Sequence, residues 1–333
     1  MKKIKVAFVD FWNAFNPNDF ICTLALQKKY SVEIKTEAND ADYVFYSVFG
    51  DEHWFLPSDK IKILYTGEDL CPDFNACDYA IGFEWLNFGD RYMRLPNYYI
   101  NPFHRNAFKA FETSYESSLE DERVRQLARS RDFCSFVVSN DDGNPIRKKL
   151  FEALSHYKKV DSGGRWMNNV GGPVKDKISF ESGHKFSIAC ENSSHSGYTT
   201  EKIIEAFAAR TIPIYWGDPD IDKVFNTKAF VNVNNFSSVE AVVQRVIELD
   251  NSEDDYMEML KQQALLDKDF YSIASQEDLV LAFLQNIVEQ PLNRAQRYNR
   301  DFCGKQYHER ERKLIIKNKK TWKDLVWERF FKR

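Results

Sequence analysis

The chain has 333 residues, of which 43% are hydrophobic and 29% charged, and its formal net charge is −4. That balance excludes a disordered chain, and the length predicts two domains with cores of their own. No run approaches the roughly 20 apolar residues of a membrane span. The N-terminal MKKIKVAFVDFWNAF reads as a polar-punctuated strand rather than a signal peptide, so the cytoplasm is the expected compartment. Six cysteines (Cys22, Cys71, Cys77, Cys134, Cys190, Cys303) lack the paired spacing of a zinc site and are expected to stay reduced.

The first part of the chain alternates strand and helix patterns. KIKVAFVDF is followed by a helix around DFICTLALQKKY, then by the strands SVEIKT, ADYVFYSVF, KIKILYTGE and DYAIGFEW. Strands that are near-continuously apolar predict a parallel sheet covered on both faces. The polar stretch ETSYESSLEDERVRQLARSR, residues 112–131, reads as a partly helical connection between domains. A second alternation follows. FCSFVVSN, KKVDSGG, HKFSIACEN, IPIYWGD and AFVNVNNF read as strands, and IRKKLFEALSHY, TTEKIIEAFAAR, SVEAVVQRVIELD, DDYMEMLKQQALL and EDLVLAFLQNIVEQ as helices. The fold class is therefore α/β, with two Rossmann-like domains in tandem and ligands expected beyond the carboxyl ends of the strands, in a crevice between the domains. Neither G-x-G-x-x-G nor G-x-x-x-x-G-K-[ST] occurs, which removes the best support for dinucleotide oxidoreductases and P-loop enzymes.

Within this frame a few side chains are placed for chemistry. Glu68 ends the strand KIKILYT after Gly67, as either a solvated turn carboxylate or a general base. Glu84, after the next strand, is a substrate-positioning or surface group. Arg147 opens the helix after the loop DDGNP, where a guanidinium can take a phosphate in bidentate fashion. Thr199 or Thr200 is a plausible N-cap, which places Glu201 and Lys202 in the first turn of the next helix. A carboxylate is ordinary there, whereas a lysine is welcome only if an anion such as a diphosphate sits on that helix end. Two helix starts each carrying a cation point to a diphosphate clamp. Asp218 and Asp220 form a D-x-D, the pattern that holds Mn²⁺ or Mg²⁺ in many glycosyltransferases, but the intervening Pro219 favours a strand-end turn.

The segments ACENS, GYTTEKIIEAF and IPIYWGDPD resemble the donor-binding signature of the α-1,3-fucosyltransferases, glycosyltransferase family 10. LYTGEDLCPDFNACDYAIGFEWLNFGDRYMRLP resembles the N-terminal half of the bacterial members, and the likeness runs over roughly residues 60 to 236. Thr199 departs from the valine more frequent in bacterial relatives, a change that should leave the loop intact. The resemblance implies the two-domain GT-B fold, with domains facing a central cleft. It implies Glu68 as general base, Arg147 and Lys202 as diphosphate-binding cations, Glu201 as the carboxylate holding the ribose hydroxyls, and Asn192 and Tyr198 lining the donor pocket. Glu84 is an acceptor-binding candidate. The implied reaction is inverting transfer of L-fucose from GDP-β-L-fucose to the 3-hydroxyl of GlcNAc in an N-acetyllactosamine-type glycan, with no cofactor or metal required. Alternatives are a GT-B transferase using another nucleotide sugar and a carbohydrate-binding protein on a degenerate transferase fold.

The expected segmentation is an acceptor domain at 1–118, a donor domain with terminal helices at 119–300, and a basic tail at 301–333. From Lys305 to Arg333 there are 11 Lys/Arg against 4 Asp/Glu, so this end carries +7 and the rest of the chain −11. An acidic remainder argues against nucleic acid as partner. Trp322, Leu325, Val326 and Phe330 fall on one helical face among cations, as in a helix packed on the protein itself or, the reading preferred, one lying at an anionic membrane surface. Peripheral association with the cytoplasmic face of the inner membrane, where lipid-linked saccharide acceptors of lipopolysaccharide (Lewis x type) are found, is what this and the resemblance imply.

Overall fold

The computed structural model describes residues 1–100, 102–116 and 118–331, with side chains as far as residue 319. Residues 1–82, 86–94 and 278–333 form one compact body; residues 83–85 and 95–277 form another. In the first, strands β1 (Lys3–Val9), β2 (Ser31–Ile34), β3 (Tyr43–Tyr46), β4 (Ile61–Tyr65), β5 (Tyr79–Gly82) and β6 (Tyr92–Arg94) make a sheet in the order β2-β1-β3-β4-β5-β6. All of its pairings are parallel. Every residue of β3, β4 and β5 is buried, as expected of strands covered on both faces. Helix α1 (Ile21–Gln27) buries Ile21, Cys22, Ala25 and Leu26, the i, i+1, i+4, i+5 stripe of one helical face.

The second body follows the same plan. Helices α2 (Pro102–Ser114) and α3 (Asp121–Ser130) lead into β7 (Asp132–Phe136), α4 (Ile146–Tyr157), β8 (Val160–Ser162), α5 (Lys177–Ser182) and β9 (His184–Cys190). Then come α6 (Glu201–Ala208), β10 (Ile212–Trp216), β11 (Val231–Asn232), α7 (Val239–Asn251) and α8 (Glu253–Lys261). The parallel sheet runs β11-β10-β9-β7-β8. Phe136, Leu150, Leu154, Phe186, Ile214, Val242 and Val246 pack as its core. In each sheet the strand order reverses once, between β1 and β3 in the first and between β7 and β9 in the second. Such a reversal splays the two following connections to opposite faces and opens a crevice at the carboxyl ends of the strands. β6, α5 and the short helix α10 (Leu292–Ala295) were not anticipated from the sequence.

The segmentation differs from 1–118, 119–300 and 301–333 for identifiable reasons. The polar stretch at 112–131 is partly helical, as expected, holding the end of α2 and all of α3. Helix α2 belongs with the second body because Phe111 and Tyr115 pack their rings against Phe207 of α6, while the Arg210 guanidinium stacks 3.7 Å from the Tyr115 centroid and donates to Ser114 O. At the other end, helix α9 (Ile273–Val288) passes into the first body, and α10 and the segment after it stay there. Asp78, fully buried at the start of β5, accepts a two-pronged bond from Arg300 (2.9 Å to each oxygen) and a third from the Arg297 amide at 2.7 Å. It also accepts the Lys62 amide of β4. The Lys62 ammonium is itself buried, and desolvation lowers its pKa to about 8 against the pull of Asp78.

The first turns of the basic C-terminal segment pack on the protein. Helix α11 (Phe302–Phe331) starts against the first body, with Tyr307 Oη donating to Asp73 at 2.6 Å, His308 Nε2 2.7 Å from Asn75 O, and Arg312 hydrogen-bonded to Trp54 O. The proposed apolar face at Trp322, Leu325, Val326 and Phe330 lies outside the residues whose side chains are described. Asp78→Ala should cost about 3–5 kcal/mol, because it strands the half-buried Arg300 guanidinium and the buried Lys62 ammonium without their counter-ion. Urea denaturation checks this, and a loss below about 1 kcal/mol would mean that the segment 297–300 is anchored some other way.

Candidate functional site

The second body's switch point brings together the loop after β7 and the end of β9. In the loop, Asn144 donates its amide to Asn192 O at 2.8 Å and accepts the Ile146 amide on its side chain at 3.0 Å, which starts α4. Arg147 therefore falls in the first turn, facing the reversal. Its guanidinium is 2% exposed and donates from Nη1 to Asn192 Oδ1 at 3.1 Å. Nε and Nη2 are buried with no hydrogen-bond partner among the described residues. Desolvation lowers the pKa of this arginine, with Cys190, Asp142 and Glu191 pulling the other way. A buried guanidinium with open donors costs free energy unless an acceptor of matching shape is supplied, and phosphate oxygens match the fork. Gly143 makes room for it: a Cβ there would fall 1.9 Å from Arg147 Nη2.

Glu191, immediately after β9, is fully buried and organises the neighbouring helix start. It accepts the Thr200 amide at 2.7 Å, the Thr200 hydroxyl at 2.6 Å and the Lys202 ammonium at 3.0 Å. Thr200 is the N-cap of α6, as anticipated, but its hydroxyl serves Glu191 rather than a helix amide. Lys202 also reaches Thr200 Oγ1 at 2.8 Å and Glu201 Oε1 at 3.4 Å, so each of its three N–H bonds has an acceptor. Burial works against its charge, yet Glu191 and Glu201 hold its pKa above the ordinary lysine range. Glu201 is likewise kept well below the ordinary carboxylate range: burial opposes this, but Lys202, His104 and Lys177 outweigh it. Of the two expected cations, Arg147 thus offers unused donors, while Lys202 supplies fixed charge already tied to carboxylates. Arg147 and Lys202 both act electrostatically on Cys190, so they share one locality.

The loop between β9 and α6 is pinned from several sides. Asp218 accepts from the Gly197 amide at 2.8 Å, from Thr199 Oγ1 at 2.9 Å and from the Asp220 amide at 2.8 Å. Asp220 in turn pairs with Ser196 and with Lys223. The two aspartates of the D-x-D are thus engaged in holding the loop, in keeping with a strand-end turn. Gly197 has φ +83°, and a Cβ there would meet Phe83 O at 2.5 Å, so glycine is required on both counts. Glu84 lies 3.2 Å from His195 Nε2, which makes it another brace of this loop rather than a solvent-facing carboxylate. Tyr198 is buried, its ring 5.1 Å from that of Phe83, and Asn192 is exposed apart from its bonds to Asn144 and Arg147.

Glu68 belongs to the first body, at the carboxyl edge of its sheet. It is exposed, three residues beyond β4, in a turn closed by Thr66, whose hydroxyl accepts the Glu68 amide at 3.2 Å and lies 3.1 Å from Glu68 O. Sequence reasoning missed Glu191 and the loop-holding role of Asp218. The available signal was an acidic residue closing an otherwise apolar strand in HKFSIACEN, directly upstream of a helix start.

Comparison with known proteins gives matches along both bodies. Residues 6–101 match the family model described as alpha-(1,3)-fucosyltransferase FucT N-terminal domain, and residues 127–285 match that of glycosyltransferase family 10 (fucosyltransferase) C-term. The alpha-(1,3)-fucosyltransferase FucT of Helicobacter pylori is 33% identical over 318 residues, covering 86% of this chain; the chain spans 66% of that relative's length. Alpha-(1,3)-fucosyltransferase 4 of Bos taurus is 31% identical over 134 residues, 39% of this chain and 33% of the relative. A crystal structure of an alpha1,3-fucosyltransferase with GDP-fucose superposes with a TM-score of 0.72 at 32% identity, covering 87% of this chain and 92% of that one. The Anabaena HepE structure with UDP-glucose, at 9% identity and TM-score 0.51, shares the fold alone, which is the GT-B class of paired Rossmann-like units.

Gly143→Ala should leave the fold intact, since the new methyl group meets the end of a long side chain, but displace the Arg147 guanidinium. Calorimetry with inorganic pyrophosphate should then register a loss of affinity of about tenfold or more, the size of one charge-assisted hydrogen bond. Unaltered affinity would mean that the guanidinium does not hold the anion.

Proposed function

Since the chain belongs to glycosyltransferase family 10, the fucosyltransferases, we propose that it transfers L-fucose from GDP-β-L-fucose to the 3-hydroxyl of GlcNAc in N-acetyllactosamine-type glycans, with inversion. The observation that carries the reading is the buried Arg147 fork, with Nε–H and Nη2–H unused beside a helix N-terminus at the switch point. A nucleoside diphosphate is the ligand whose shape and charge meet those donors.

In this mechanism the bond from fucose C1 to the diphosphate oxygen breaks and its electron pair goes to GDP. Arg147 donates to the phosphate oxygens as their charge grows, and Lys202 adds positive potential through its fixed ammonium. Such preorganised charge lowers the barrier without a metal ion and is worth on the order of 10²-fold or more in rate. Glu201, held ionised by its cationic neighbours, accepts the ribose hydroxyls, while Asn192 and Tyr198 shape the pocket wall. The acceptor 3-oxygen attacks C1 from the opposite face, and its proton passes to the Glu68 carboxylate. Glu84 acts through His195 on the loop that carries Tyr198, so its influence on acceptor use is indirect.

The discriminating assay is GDP release from GDP-fucose with N-acetyllactosamine, in the presence of EDTA. Turnover is expected there, and Glu68→Gln should lower kcat by at least about 10²-fold with GDP affinity retained. Near-normal turnover by that variant would remove Glu68 from the role, and GDP-fucose left intact by the wild type would overturn the reading as a whole. We also propose peripheral attachment to anionic membrane through the basic, aromatic end of α11, at the cytoplasmic face where lipid-linked Lewis x type acceptors are built. Removing residues 320–333, which spares the packed first turns, should abolish binding to anionic liposomes; undiminished binding would refute it.

A further inference from the structure

The first body's switch point carries a structure that the chemistry above does not use. In register, Val9 pairs with Tyr46 and Tyr46 with Leu64, so the segments that follow β1, β3 and β4 leave the sheet at one edge. The segment after β1, DFWNAF, sets three aromatic rings there. Phe11 and Phe15 stack at 3.9 Å, Trp12 stands edge-on to Phe15 at 5.0 Å, and Phe49 from the segment after β3 lies 6.2 Å from Trp12 with 52% of its surface exposed. Beneath them the Trp12 and Phe11 rings each lie 6.4 Å from Tyr65, the last residue of β4.

This group is held rigidly and at some backbone expense. Asp10 and Ala14 both adopt left-handed backbone (φ +59° and +65°), of which Ala14 has no local hydrogen bond to offer in return. The Asp10 carboxylate accepts the Glu52 and His53 amides at 2.9 Å each and meets His53 Nδ1 at 2.7 Å, while the Asp10 carbonyl accepts the Phe49 amide at 3.0 Å. The segments after β1 and β3 are therefore locked together, with Phe11 and Phe15 packed on Phe20, Trp12 half-buried and Phe49 exposed. Asn13, Asn16 and Asn18 of the same segment are exposed, Asn16 bonding Asp19 and accepting from Asn18. Aromatic faces in a segment with exposed amides suit a ring compound with one apolar C–H face and a rim of hydroxyls.

We infer that Trp12 and Phe49 form a stacking platform for the galactose ring of the acceptor, and that they set the preference for N-acetyllactosamine over free GlcNAc. This rests on the transferase reading with Glu68 as base. Glu68 follows Tyr65 by three residues, so the chain keeps it within about 11 Å of the platform's floor. That separation leaves room for a second sugar beside the one being fucosylated.

The test compares kcat/KM for N-acetyllactosamine and for GlcNAc in the wild type, Trp12→Ala, Trp12→Phe and Phe49→Ala, together with saturation-transfer NMR of N-acetyllactosamine on each protein. The two alanine variants should raise the acceptor KM for the disaccharide about tenfold, the size of one lost ring contact, with GlcNAc little affected and the KM for GDP-fucose within about twofold of wild type. Trp12→Phe should restore most of the preference. Unchanged disaccharide preference in both alanine variants would overturn the platform. Should the wild type fail to turn over GDP-fucose at all, the NMR arm still decides: galactose signals that vanish with Trp12 or Phe49 support the platform while the transferase reading fails, and signals indifferent to both rings refute it.

Discussion

A single buried carboxylate organises the junction of β9 and α6. Glu191 closes β9, has no exposed surface, and binds the amide, hydroxyl and ammonium of Thr200 and Lys202 through two oxygens. Burying such a charge is tolerable only because each oxygen finds a donor and one donor is itself a cation. The consequence is positional. The start of α6 is drawn against the end of β9, and Glu201 is presented beside Lys202 with its charge assured. Gly217 allows the approach, since a Cβ there would lie 2.4 Å from Glu191 Cγ. Asp218 then fixes the intervening loop by accepting from Gly197 and Thr199.

Arg147 is the complement to that closed network. Lys202 has its acceptors within the chain, whereas the Arg147 fork keeps two N–H groups open in a site that water reaches poorly. Buried donors without an acceptor cost free energy, and these two sit at the strand-order reversal. Their position at a strand-order reversal repeats in the first body, where the other reversal carries the aromatic group and the edge that holds Glu68. One topological rule thus accounts for the placement of both sets of side chains, each within its own sheet.

Much of this was legible from the chain. The near-continuously apolar runs YVFY and IKILY announce buried parallel strands, and Pro145 and the two threonines mark the helix starts that carry Arg147, Glu201 and Lys202. What escaped depended on partners distant in sequence. Asp78 reads as a polar residue before a strand, and nothing local announces that Arg300, more than 200 residues on, will clasp it and carry the C-terminal segment back to the first body. Glu191 reads as the end of a strand until Thr200 and Lys202 are folded onto it. The saturation of Lys202 was hidden for the same reason, because a helix-terminal cation looks alike whether its acceptors come from the protein or from a ligand. Glu84, read as a surface or substrate-positioning group, gave no local sign of its pairing with His195.

The central claim is that the open donors of Arg147 take the terminal phosphate of a guanosine diphosphate, and the most direct measurement is the ratio of GDP to GMP affinity in the wild type and in Arg147→Met, which preserves bulk without the fork. The account predicts that the wild type favours GDP strongly and that the ratio collapses toward one in the variant, with GMP affinity little altered. An equal preference for GDP in both proteins would contradict it.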